Sequence, residues 1–129
     1  DVYKRQPVEG IGAYIDAKMD ISRTHPHGSK VWASEVMHGA PVIQDYLETT
    51  LRDWTDGRIA VIQRWIDEGK MQPVNPRHLL YMLWATTQHY ADFGHQIQTL
   101  NGGRALTDRQ WAEAKASVKD MVLRGIGAI

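Results

Sequence analysis

Apolar residues recur along most of the chain at spacings of three and four, the period at which side chains share one face of an α-helix. Val8, Ile11, Ile15 and Met19 form the first stripe, opened by Pro7, whose missing N–H costs nothing at a helix start. Gly10 and Gly12 weaken its first turns, and Pro26 pushes His25 out of the helical region and closes it. A short second helix, roughly 26–38, carries Val31, Trp32, Val36 and Met37, and Gly39-Ala40-Pro41 breaks it. The third helix is the longest. Ile43, Tyr46, Leu47, Leu51, Trp54, Val61, Ile62, Trp65 and Ile66 hold one stripe, in phase across Asp56-Gly57, which predicts one helix with a weak point there. Gly69 supplies a left-handed stop. Asn75 caps a fourth helix that starts at Pro76 and is expected to run to about Leu100, before Asn101-Gly102-Gly103. Thr107, with Gln110 three residues on, makes a capping box for a fifth helix. Trp111, Ala114, Val118, Met121 and Val122 line one face of it, and Gly125 ends it. No segment alternates as a strand would, so the expectation is an all-α antiparallel bundle of about five helices.

The chain has 129 residues and 43% apolar content, enough for one domain with a sizeable core. Fifteen basic residues balance fifteen acidic ones, so no global field favours nucleic acid or a membrane surface. The absence of cysteine excludes a disulfide scaffold and a thiol nucleophile, and fits a cytoplasmic protein. No apolar run is long enough to span a bilayer. Residues 1–6, DVYKRQ, have neither a helical face nor a cap; they read as a non-native or disordered stretch ahead of a domain over 7–129.

Six histidines raise a metal reading, which their spacing weakens. His89, Asp92 and His95 follow each other by three on the fourth helix, so the outer two diverge by about 240° and the three cannot chelate one ion. His25 and His27 flank a proline at a helix break. No serine lies in a nucleophile-elbow context, and no glycine-rich phosphate loop follows a strand. No catalytic, metal or cofactor site is expected, and the chain reads as something other than an enzyme. A metal-dependent helical-bundle enzyme is the rival from another class.

Trp84 and Gln88 pose a different question. Four residues apart, they share a helix face, so a planar heterocycle can lie on the indole while the carboxamide meets its edge. Gln offers one acceptor and two donors, the complement of an imide edge. The plainer reading is a core tryptophan beside a glutamine bonded to backbone. Glu35, set among Val31, Trp32 and Val36, needs a partner, and Glu35 or Trp32 is expected across the pocket from Trp84. Tyr90, Phe93 and Ile97, with Trp111, Val118, Met121 and Val122, continue apolar faces on the last two helices and are expected to pair with a second subunit.

The run HLLYMLWATTQHYADF (78–93) carries more than composition does. With YIDAKMDISRTHP, MHGAPVIQDYL, WIDEGKMQPVNP and VLRGIGA, in order over almost all of 14–125, it resembles the TetR family of transcriptional repressors, in its pyrimidine-utilisation branch. The resemblance implies a C-terminal ligand-binding and dimerisation domain whose effector is uracil or thymine. It further implies that Trp84 and Gln88 contact the base. Operator DNA would be gripped only by an N-terminal helix-turn-helix, which this chain lacks. A related regulator of another small planar metabolite is the nearest alternative.

Overall fold

A computed structural model describes residues 6–129, and four of its helices start where Pro7, Pro26, Pro76 and the Thr107 cap put them. Of the stretch set aside above, only Gln6 lies within the described residues; it caps α1 (Pro7–Thr24), and its carbonyl accepts from the Gly10 amide at 2.9 Å. Ile11, Ile15 and Met19 of α1 are buried, whereas Val8 in its first turn stays 40% exposed. Helix α2 (Pro26–Met37) has no buried residue, so its apolar side chains serve a wall rather than the core. It packs across α5 and α1.

The third predicted helix is interrupted, but not at the glycine. Short α3 (Gln44–Tyr46) passes through a π-helical turn, Leu47–Leu51, into α4 (Arg52–Asp67), which runs unbroken through Gly57. The roughly 1 kcal/mol that glycine costs a helix is overridden by burial of Val61, Ile62 and Trp65 on the same element. At the π turn, Thr49 and Thr55 hydroxyls donate back to the carbonyls of Asp45 and Leu51, both at 2.7 Å, a local bond that competes with regular helix.

Asn75 Oδ1 accepts from the amides of Arg77 and His78 and starts α5 (Pro76–Asp92). The predicted run to Leu100 is broken. Phe93 leaves helical geometry at φ −114°, and α6 (Gly94–Leu100) begins at a glycine, the weakest helix former after proline. Thr107 and Gln110 close both halves of the capping box for α7 (Asp108–Gly125). Gly125 is its last residue, while the left-handed turn falls to Gly127 (φ 66°), where a Cβ would meet Gln72 Cγ at 2.2 Å.

Every regular element among the described residues is helical, as expected. Ile15, Met19 and Leu83 lie fully buried at the centre. Helix α7 runs antiparallel to α1, in register through Asp16–Lys119 (3.0 Å), Asp20–Lys115 (2.8 Å) and Arg23–Asp108. Helix α5 runs in the same direction as α1: Tyr14 meets Trp84, and eight residues on, the Ser22 hydroxyl donates to the Thr87 carbonyl at 2.8 Å.

Two residues assigned to a subunit interface belong elsewhere. Val118 and Val122 are each only 6% exposed and pack in the protomer's own core. The apolar face of α7 is consumed by the fold, because α1 lies along it. Met121 (66% exposed) and Phe93 (55%) do present apolar surface, while Tyr90, Ile97 and Trp111 are half-buried.

Candidate functional site

The parallel run of α1 and α5 leaves a gap that α2, α3 and the π turn enclose. Tyr14 and Lys18 of α1, Trp32 and Val36 of α2, and Trp84 and Gln88 of α5 line it. Tyr46, Leu47, Thr50, Leu51 and Trp54 complete the wall of a cavity of about 610 Å³. Small-molecule sites commonly fall in this size range and, like this one, set a few polar groups in apolar walls.

Aromatic rings define its floor. The Trp84 indole N–H donates to the Tyr14 hydroxyl at 2.9 Å. Trp54 lies 6.0 Å from Tyr14 and 6.4 Å from Trp84, ring centre to ring centre, in tilted contacts. Trp32 meets Tyr46 edge-on at 5.9 Å on the opposite side. Tyr14 and Trp54 also form the partition to a second cavity of about 360 Å³, whose charged lining residue is Arg58, set over the Trp54 ring at 5.1 Å. The first cavity holds the richer polar set.

Among the described residues, the Gln88 carboxamide has no hydrogen-bond partner within the protein, so the reading of a glutamine tied to backbone does not describe it. Thr87 and Thr86, by contrast, spend their hydroxyls on the helix: Thr87 on the Leu83 carbonyl at 2.8 Å, Thr86 on that of Met82 at 2.9 Å. Burial pushes the Lys18 amine below its ordinary value, partly offset by Asp92. Burial likewise pushes the Tyr14 phenol up, against the Trp84 N–H and the Arg58 charge.

Tyr14 offers a direct check. Its folded pKa is raised, so the neutral phenol stabilises the fold fully below the ordinary value of about 10, and that contribution is lost as pH climbs through the folded value. An alkaline titration followed by ultraviolet absorbance should therefore show at least one tyrosine ionising late, and Tyr14→Phe should remove that late component.

Glu35 is not part of the cavity. Its Oε2 accepts from the amides of Val42 (2.6 Å) and Ile43 (3.0 Å), pinning the turn in which Gly39 and Ala40 take φ of 84° and 55°. The partner that this carboxylate needed is backbone, not ligand. Trp32 is the half of that expectation that reaches the cavity.

A family profile described as "YcdC-like protein, C-terminal region" matches residues 2–129. The curated relatives are proteins named HTH-type transcriptional regulator RutR, from Escherichia coli O157:H7, Escherichia coli K12 and Shigella flexneri. Each is 34% identical over 120 residues, which is 93% of this chain and 57% of the relative. The chain belongs to the TetR family. It corresponds to that family's C-terminal region and spans a little over half the length of the relatives it matches, which are named as regulators rather than enzymes.

Within this TetR-family domain, His89 and Asp92 of the spaced trio have other engagements. His89 stacks on Phe93 at 5.0 Å, and Asp92 accepts from the Ser29 hydroxyl at 2.6 Å. Among the described residues no three histidine or acidic side chains are grouped to hold a metal ion. No described helix is long and apolar enough to cross a membrane. Sequence reasoning missed Tyr14, Lys18 and Thr50 as lining residues. A signal existed for the first two: they stand four apart, each just before a residue of the buried stripe, Ile15 and Met19.

Proposed function

We propose that this domain is the effector-binding and dimerisation part of a transcriptional repressor that senses a pyrimidine base, uracil or thymine. The observation that carries this reading is the unpaired Gln88 carboxamide, one helical turn beyond the Trp84 ring, in an aromatic-walled cavity. A flat base stacks on an aromatic wall, and the carboxamide answers the alternating donor and acceptor of an imide edge. Trp32 of α2 adds a further aromatic ring to the same wall. Calorimetry with uracil, thymine, cytosine and adenine tests this. Uracil and thymine should bind, and cytosine should bind at least tenfold more weakly, because an amino group replaces the carbonyl that accepts from Gln88. Equal binding of all four would reduce the site to one for unspecified planar metabolites.

The domain acts as a homodimer in the cytoplasm, and its role is to hold the effector and the partner subunit rather than to grip operator DNA. Exposed Phe93, at the break between α5 and α6, and exposed Met121 on α7 support the dimer, since apolar surface left by a protomer's core marks an interface. Met121→Glu is expected to shift the protein from dimer to monomer at tens of micromolar in analytical ultracentrifugation, where an association of about −6 to −7 kcal/mol is being read. Protomer stability should barely change, since Met121 is two-thirds exposed. An unchanged dimer would move the interface to another face.

A further inference from the structure

Lys18 is the charged group in the cavity wall, and nothing in the proposed recognition of a neutral base uses it. Among the described residues it has no ion-pair partner. Asp92 acts on it only at longer range, and one Asp92 oxygen already takes the Ser29 hydroxyl. Lys18 stands one turn beyond Tyr14, and Gln88 one turn beyond Trp84. Tyr14 and Trp84 are hydrogen-bonded, and the two helices run in the same direction. The ammonium and the carboxamide therefore occupy the same end of the cavity, past the aromatic floor. A half-buried, unpaired cation beside an unpaired amide is costly without a ligand. A carboxylate turns that cost into a charge-assisted hydrogen bond.

We propose that the cavity selects a pyrimidine that carries an acidic group on its ring, with Gln88 reading the imide edge and Lys18 holding the carboxylate. This rests on the pyrimidine reading above and extends it from the neutral bases to an anionic relative that the same cavity holds more tightly. The ring lies against Trp84, and the substituent extends along the floor toward Lys18. Tyr14, whose oxygen accepts from the indole, keeps its own O–H free to donate to the same oxygens.

Calorimetry on the whole chain with three probes separates charge from shape: uracil, uracil-5-carboxylate, whose acidic group stands beside the C4 carbonyl of the imide edge, and the neutral uracil-5-carboxamide. The carboxylate should bind at least tenfold tighter than the carboxamide. Lys18→Met, which keeps the aliphatic stem, should erase that difference while leaving uracil within about threefold of the parent; Lys18→Arg should keep the preference. If uracil binds and the carboxylate binds no tighter than the carboxamide, the anionic class is wrong and the neutral-base reading stands. If no probe binds to folded protein, the pyrimidine reading itself falls. Should Lys18→Met fail to fold, the comparison of carboxylate with carboxamide on the parent decides alone.

Discussion

Gln88→Ala is expected to weaken uracil binding by roughly five- to 150-fold and to leave the stability of the fold within about 0.5 kcal/mol of the parent. The two halves of this result have one cause. The carboxamide bonds to nothing in the protomer, so removing it costs the fold no hydrogen bond, and alanine is the better helix former. In the complex the same deletion leaves imide atoms buried without partners, at about 1–3 kcal/mol. Calorimetry and urea denaturation on the same sample read both quantities. Gln88→Glu sharpens the test: it keeps the shape but replaces a donor amide with an acceptor that repels a carbonyl edge. Trp84→Ala is less decisive. That indole donates to Tyr14 at 2.9 Å and packs against Trp54 and Tyr81, so its loss lowers stability and affinity together.

Val118→Glu is expected to cost about 3–5 kcal/mol of stability, a large share of the roughly 5–15 kcal/mol that holds a typical domain together. Val118 is 6% exposed and lies in the core cluster with Val122 and Leu123. A carboxylate there is buried with no cation to meet it; the nearest-turn lysines, Lys115 and Lys119, are paired with Asp20 and Asp16. The urea midpoint should fall steeply, or the protein should be recovered unfolded. A folded monomer of near-parental stability would instead place Val118 at a subunit interface.

The helix starts were legible in the sequence because their causes are local. Proline at 7, 26 and 76, Asn75 reaching the amides of Arg77 and His78, and the Thr107–Gln110 box each depend on three or four neighbouring residues. The interruptions were not. Gly57 sits inside an unbroken helix because burial on the same element outweighs its propensity, while the π turn at Leu47–Leu51 falls within an apolar stripe whose helical period runs straight through it. The faces of α7 show the same limit. A stripe of apolar residues says that something covers it, and only the position of α1 shows that Val118 and Val122 are covered by their own protomer. In the cavity, Trp84 and Gln88 stood out as a pair on one helix. Tyr14 and Lys18 stood beside the buried stripe, but that they and Thr50 wall one cavity depends on which helices come together.

Thermal unfolding of the unaltered chain across a concentration series of uracil tests the central claim most directly. A ligand that binds only the folded state raises the melting temperature with the logarithm of its excess over Kd. Uracil should produce such a rise, adenine should not, and Gln88→Ala should reduce it markedly. A chain that melts cooperatively from a helical state at the same temperature at every uracil concentration would contradict that claim, and would return Trp84 and Gln88 to a structural role.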